Sequence, residues 1–232
     1  MVVKIKKNIS VIIATLTVIS FYISSCAYVP EDSLDAEKLY QAAIISYDSG
    51  DCVDVITKLD ELLKLYPDDY RAPSSHYHLG KCWYKRDDFQ TALDHFYKLI
   101  ERWPLNSKTP DAHFYYGKCQ YNLTVSPYDE AMKTFSEVIE LYPEHTVVAG
   151  SMFYIGKLHY LNGNYRESVT QLESLLTSFP DSSYRKLSIY YLVKGYAKLG
   201  DCIKSYQYYE TLLQDYPNSN YTLWALDKYN LY

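Results

Sequence analysis

The chain has 232 residues, 23 basic against 28 acidic, for a formal net charge of −5. That balance argues against a polyanionic partner such as DNA, whose capture rests on neutralising phosphates. Aromatics make up 16% of residues, 28 of them tyrosines, and no long polar tract suggests large-scale disorder.

The first segment reads as a targeting signal. Lys4, Lys6 and Lys7 form a basic start, and Ile9 to Ile23 is an apolar run ending in Ile23-Ser24-Ser25-Cys26. At about 15 residues the run is shorter than the roughly 20 a membrane-spanning helix needs. A basic head, a short apolar middle and small residues before a cut describe a secretory signal; an uncleaved signal anchor is the alternative. The Ile-Ser-Ser-Cys ending resembles a bacterial lipobox. That resemblance implies cleavage before Cys26, acylation of its thiol and new amino group, and membrane attachment through acyl chains. Ala27 in place of an aspartate favours the outer membrane. Losing residues 1–25 removes three lysines and no acids, leaving a net charge of about −8. The expected layout is a signal peptide over 1–25, a lipidated tether over 26–35 and a repeat domain over 36–232.

Five aromatic-proline pairs then pace the chain: Tyr66-Pro67, Trp103-Pro104, Tyr142-Pro143, Phe179-Pro180 and Tyr216-Pro217. Successive prolines are 37, 39, 37 and 37 residues apart. Each pair closes a stretch with apolar or small residues at 0, +3, +7, +10, +11 and +14, as in Phe89, Ala92, Phe96, Leu99, Ile100 and Trp103. Those offsets predict a helix with one buried stripe, stopped by a residue that cannot continue it. A shorter helix precedes each of these. It carries Tyr40, Ala43 and Tyr47 in the first repeat, then Tyr77, Gly80 and Tyr84, Phe114, Gly117 and Tyr121, and Phe153, Gly156 and Tyr160. The fifth is less regular, with Tyr190, Val193 and Ala197. Three glycines at one register imply close helix approach, since each costs about 1 kcal/mol against alanine. Gly50-Asp51, Gly163-Asn164 and Gly200-Asp201 supply a left-handed stop and a polar start. The third repeat instead has Ser126-Pro127-Tyr128-Asp129, with Ser126 expected as N-cap and Pro127 in the first helical turn. Clusters such as Asp181-Ser182-Ser183 and Asn218-Ser219-Asn220 follow the prolines as caps. A last helix with Tyr221, Trp224, Ala225 and Tyr229 on one face is expected to cover the open end. A period in this range means a stacked array.

The repeats resemble the tetratricopeptide repeat. Gly80, Ala92 and Pro104, and likewise Gly156, Ser168 and Pro180, match its small, small and proline positions. The resemblance covers about residues 36–232 and implies an all-α, right-handed α-solenoid of five helix pairs plus a C-terminal capping helix. A narrower resemblance rests on Ala36-Glu37-Lys38-Leu39-Tyr40-Gln41-Ala42-Ala43, the repeat length, the lipobox and Asp111-Ala112-His113-Phe114-Tyr115-Tyr116-Gly117. Together these are similar to the BamD (YfiO) family of outer-membrane assembly lipoproteins. The chain departs from that family after the third repeat's first helix, where a longer irregular insertion is replaced by Leu123 to Pro127. The family implies a non-catalytic scaffold of the β-barrel assembly machinery, held at the periplasmic face of the outer membrane. Its partners would be unfolded barrel precursors and the core assembly subunit. The alternative is a periplasmic repeat scaffold for envelope constriction or peptidoglycan coordination, like the Tol-Pal-associated proteins, which usually add a coiled coil.

Candidate chemistry is sparse. No HExxH, GxSxG or glycine-rich phosphate loop occurs, so neither enzyme, cofactor, metal site nor small-molecule substrate is expected. The histidines, including His76, His78 and His145, read as surface or packing residues. Cys52 and Cys202 occupy apolar slots of the repeat, and Cys82 and Cys119 are equivalent positions in neighbouring repeats. Packed helices lie about 8–10 Å apart, beyond the ~7 Å a disulfide spans. Free buried thiols are therefore expected, with a disulfide or a metal as alternatives. One feature rises above packing: Lys81, Lys118, Lys157 and Lys194 each follow the small mid-helix position. By resemblance to tetratricopeptide domains this position faces a peptide groove, flanked by Tyr77, Tyr84, Phe114, Tyr121, Phe153 and Tyr160. Such a groove would suit an extended peptide with acidic groups or a free carboxylate. The competing reading is that the lysines solvate an exposed face, with acids such as Asp48 and Asp87 cancelling their field.

Overall fold

The structure is a computed structural model that describes residues 31–229, with side chains for 35–225. The expected signal, the acylation site Cys26 and the first half of the tether, 26–30, lie outside the described residues. Eleven helices and no strand occur among them. The chain divides into two compact units, one ending at Tyr70 and one beginning at Arg71. The first holds α1 (Glu31–Asp48) and α2 (Cys52–Leu65), packed on each other. The second holds α3 (Ala72–Lys85), α4 (Phe89–Arg102), α5 (Thr109–Leu123), α6 (Asp129–Leu141), α7 (Val147–Leu161), α8 (Tyr165–Ser178), α9 (Arg185–Leu199), α10 (Cys202–Asp215) and α11 (Asn220–Tyr229). Helix α1 begins at Glu31, ahead of the start expected at Ala36.

The proline-terminated helices stop alike. Tyr66, Trp103, Tyr142, Phe179 and Tyr216 sit at φ of −131 to −139° and ψ of 53 to 64°, each donating its N–H to the carbonyl four residues back. The following proline ring excludes the α region for the residue before it, so the helix ends there each time. The stripe is buried at its centre. Positions +3, +7 and +10 are buried in every pair, whereas 0, +11 and +14 are half-buried or exposed. The last pair has less over it: Cys202 and Leu213 are exposed. Helix α11 buries Thr222 and Ala225 against this end but leaves Trp224 52% exposed, so the expected capping face is narrower.

Close approach explains the glycine register. A Cβ on Gly80 would lie 2.7 Å from the Phe96 ring, on Gly117 2.9 Å from Phe135, and on Gly156 2.6 Å from Leu172. Each glycine thus faces the +7 side chain of its own pair. Where the +3 position is serine, its hydroxyl caps the same register: Ser168 Oγ donates to Gly156 O at 2.7 Å and Ser205 Oγ to Val193 O at 2.9 Å. The turns inside the pairs use Gly50, Gly163 and Gly200 at positive φ. Repeat two manages with Asp87 at φ 60°. In repeat three the expected N-cap fails. Ser126 has φ 52°, the Ser126-Pro127 bond is cis, and the helix starts at Asp129 with Tyr128 before it. The Ser126 hydroxyl turns to Asn162 Oδ1 at 3.4 Å rather than to the helix amides. Between pairs of the second unit, the residue three after the aromatic turns its side chain onto the amide two residues further on. Asn106, Ser182 and Ser219 side-chain oxygens accept from the amides of Lys108, Tyr184 and Tyr221, and His145 Nδ1 accepts from that of Val147.

The cysteines correct the thiol expectation in part. Cys52 and Cys82 are disulfide-bonded, Cys119 is free and buried, and Cys202 is free but exposed. Helix-axis spacing does not fix the Cα separation that a disulfide needs, and Cys202 lacks a covering repeat.

Candidate functional site

In the second unit each helix packs on its neighbours in sequence, and the first helices of successive pairs also touch: α3 on α5, α5 on α7, α7 on α9. These are the helices that carry the lysine row. The tyrosines between them form an unbroken run of rings. From Phe89 through Tyr84, Tyr115, Phe114, Tyr154, Phe153, Tyr191, Tyr190 and Tyr221 to Trp224, successive centroids are 5.2 to 5.9 Å apart. Edge and tilted contacts of this kind each contribute about 0.5–1.5 kcal/mol beyond area burial.

The row lies over these rings. Lys81 Nζ is 3.9 Å from the Tyr115 centroid and donates to its hydroxyl. Lys118 Nζ lies 4.6 Å from Tyr115 and 4.7 Å from Tyr84, with Phe114 at 5.7 Å and Tyr154 at 5.8 Å. Lys157 sits 4.4 Å from Tyr121 and 5.7 Å from Tyr154. Lys194 is held by Tyr160, Tyr191 and Tyr190 at 4.6 to 5.2 Å. Neighbouring lysines share a ring at the first two steps, Tyr115 between Lys81 and Lys118 and Tyr154 between Lys118 and Lys157. All four are half-buried. Neither Lys118 nor Lys157 has a carboxylate within ion-pair distance among the described residues.

Burial among the rings costs the charged amine its hydration, and Lys81 and Lys157 add repulsion, so Lys118 falls to about 8 from its ordinary 10.5. The same burial holds the hydroxyls of Tyr84, Tyr115, Tyr154 and Tyr191 protonated well above the usual tyrosine range. The arrangement can attract and desolvate an anion while offering flat apolar walls beside it. It contains no nucleophile–base pair, and no group of three or more histidine, cysteine or acidic side chains among the described residues is placed to hold a metal.

The expected flanking residues divide. Tyr77, Tyr84, Tyr121 and Tyr160 are half-buried beside the row, but Phe114 and Phe153 are 6% and 3% exposed and belong to the core. The residues that lie beneath the ammonium groups are Tyr115, Tyr154 and Tyr191. Each stands three places before its lysine, a recurring spacing present in the sequence and passed over there.

Two other features are distinct. His76 and His95 face each other inside the α3–α4 pair, Nδ1 to Nδ1 at 3.0 Å, beside Trp103. Burial drives them to about 3 and about 4, with Lys98 pushing both down and Arg102 adding to His76. An open cleft of about 520 Å³ lies between the Pro143–Thr146 and Phe179–Ser183 turns, away from the lysines.

No helix among the described residues is long and apolar enough to cross a membrane. No curated protein sequence matches the chain. Solved structures do. A tetratricopeptide repeat protein from Parabacteroides merdae is 15% identical, with TM-score 0.69 over 85% of this chain and 75% of its own. YrrB, described as a tetratricopeptide-repeat protein with an unusual peptide-binding site, is 18% identical, with TM-score 0.61 over 80% and 88%. PilW, a widely conserved type IV pilus biogenesis factor, is 14% identical, with TM-score 0.67 over 82% of each. At these identities the likeness shows the fold. Residues 151–182 match a tetratricopeptide repeat, and residues 32–147, half of the chain, match the family YfiO, outer membrane lipoprotein. The repeats read from the aromatic-proline spacing are therefore tetratricopeptide repeats, and the chain belongs to the YfiO outer membrane lipoprotein family.

Proposed function

We propose that the protein is a non-catalytic scaffold of the β-barrel assembly machinery, acylated at Cys26 after loss of residues 1–25. It would be tethered through 26–35 to the periplasmic face of the outer membrane, with its repeats over 36–232. Its partners are unfolded barrel precursors and the core assembly subunit, met through protein surfaces without nucleic acid, cofactor or small-molecule substrate. The observation that carries the binding role is the lysine–tyrosine face: four half-buried ammonium groups over an aromatic wall, two of them without a carboxylate among the described residues. A structural salt-bridge row would have placed acids there. Membership of an outer membrane lipoprotein family supports the location.

The test is capture in intact cells. A photo-crosslinking amino acid in place of Tyr121 is expected to trap barrel precursors, and the core assembly subunit is expected to copurify with the chain from native membranes. Depletion should leave barrel proteins uninserted. Normal insertion after depletion, with a mislocalised division apparatus instead, would overturn this reading in favour of an envelope-constriction scaffold.

A further inference from the structure

A second cluster of side chains spans the last pair and the helix before it, and its chemistry differs from that of the lysine row. Tyr196 of α9 and Tyr208 of α10 stack almost parallel, at 9° and 5.7 Å between centroids. Both hydroxyls donate to the same oxygen, Glu173 Oε1 of α8, at 2.5 and 2.9 Å. A phenol that donates to a carboxylate has a base already aligned on its hydrogen. Sharing one acceptor also draws the hydroxyl ends of the two rings together, and the ortho carbons lie beside those hydroxyls. Glu173 keeps 36% of its side chain exposed, so it can pass a proton on to water. Lys204 Nζ donates to Tyr196 Oη at 3.0 Å and lies 3.9 Å from the carboxylate. Its positive charge opposes loss of an electron from Tyr196, which leaves the half-buried Tyr208 the easier of the two to oxidise.

Two other tyrosine pairs show what this arrangement adds. Tyr84 and Tyr115 meet edge-on at 79°, and their hydroxyls accept from Asn122 Nδ2 and Lys81 Nζ rather than donating to a carboxylate. Tyr97 does donate to a carboxylate, Glu101 Oε1 at 3.2 Å, but its neighbour Tyr116 is tilted by 36° at 6.3 Å. The first pair lacks the base and the second lacks the stacked partner.

We infer that Tyr196 and Tyr208 form an oxidation site, where one-electron oxidants of the metal-centred or radical class join the two rings as a dityrosine. Tyr208 gives an electron to the oxidant as its phenolic proton passes to Glu173, leaving a neutral phenoxyl radical. Glu173 releases that proton to water and then serves Tyr196 in the same way. The two radicals couple through one bond between ortho carbons. Each of those carbons then loses its hydrogen as a proton, and a proton returns to each oxygen to restore the hydroxyls. The net change is two electrons to the oxidant, two protons to water and two hydrogen atoms lost from the chain. The bond ties α9 to α10 covalently, whatever the lysine row binds.

The test uses the full chain in detergent, dilute enough to stay monomeric, irradiated with a ruthenium(II) tris-bipyridyl sensitiser and persulfate as terminal electron acceptor. Dityrosine fluorescence of the monomer fraction gives the rate, and peptide mapping locates the bond. The expected product joins the tryptic peptides 195–198 and 205–228, two hydrogen atoms lighter, with fragmentation placing the bond between Tyr196 and Tyr208. Tyr208→Phe, which removes only the hydroxyl, should abolish this product, and Tyr206→Phe at its exposed neighbour should not. Glu173→Gln keeps a hydrogen-bond acceptor but no base, and should slow formation severalfold. Formation in the unaltered chain should also be slower in heavy water, a comparison that does not depend on the variant keeping its rings stacked. A first bond mapped to another pair, such as Tyr97 with Tyr116, overturns the inference. So does a product that persists in Tyr208→Phe, or a rate unmoved by both Glu173→Gln and heavy water.

Discussion

The fit between Gly80 and Phe96 gives a prediction whose sign decides between two effects. An alanine at position 80 gains up to about 1 kcal/mol of helix propensity over glycine. Its Cβ, however, would stand 2.7 Å from Cε1 and Cζ of Phe96, against roughly 3.4–4 Å for ordinary carbon contacts. The ring must move several tenths of an ångström, and it has nowhere to go. Phe96 is fully buried, stacked on Tyr115 at 5.6 Å and meeting Tyr77 edge-on at 6.3 Å. Overpacking of this kind costs about 1–3 kcal/mol. Gly80→Ala is therefore expected to be destabilising by about 0–2 kcal/mol net, measured as a lower urea midpoint at unchanged slope. Phe96→Leu alone should also destabilise, yet adding it to Gly80→Ala should recover part of the loss, with a favourable coupling of about 1–2 kcal/mol. A Gly80→Ala variant about 1 kcal/mol more stable than the parent, with no coupling to Phe96, would refute the packing argument and leave propensity in charge.

The His76–His95 pair sets an acid limit. Both rings titrate below their unfolded value of 6.5, so the unfolded chain binds the protons first and stability falls as pH drops below about 6.5. The loss should reach about 2–4 kcal/mol between pH 7 and pH 5; His76→Phe should flatten that slope, and an unchanged slope would dismiss the pair as its source. Glu173 Oε1 accepts from the hydroxyls of both Tyr196 and Tyr208, at 2.5 and 2.9 Å. Glu173→Gln should cost about 0.5–1.5 kcal/mol by thermal melting and bring the raised Tyr208 titration down toward the ordinary range; a melting curve identical to the parent's would count against the clamp. In a Cys26→Ser chain, a thiol reagent should modify Cys202 in the folded state and Cys119 only after unfolding, since Cys119 is buried and pushed up to about 12. Equal rates at the two would contradict the burial.

What the sequence disclosed was the part governed by neighbours along the chain. Proline acts on the residue before it, so all five helix stops could be placed from Tyr66-Pro67 to Tyr216-Pro217. Glycine at a fixed register signals tight approach whatever lies opposite, so Gly80, Gly117 and Gly156 could be assigned a role without knowing that Phe96, Phe135 and Leu172 would fill it. The failures belong to packing between pairs. Phe114 and Phe153 share a register with Tyr77, yet they sink into the core, because the stagger of the next pair decides which ring faces outward. Tyr115, Tyr154 and Tyr191 were missed because the repeat register singles out the small residue and not the ring onto which a long side chain folds back: Lys118, Lys157 and Lys194 each lie over the ring three places before them. Ser126 had the composition of a cap but not the backbone, and Trp224 lost its cover because the final helix meets only part of the last pair.

The near-identical dihedrals at Trp103, Tyr142, Phe179 and Tyr216 also determine where the array tolerates a change of length. The two extra residues of repeat three sit within the hairpin between α5 and α6, and Lys118 and Lys157 still share the Tyr154 ring across them. Growth at a hairpin tip is thus silent for the pairs beyond it. Growth at an aromatic-proline exit would part Lys118, Lys157 and Lys194 from Tyr84, Tyr121 and Tyr160 of the preceding pair, so such an array can be lengthened or trimmed only by whole modules.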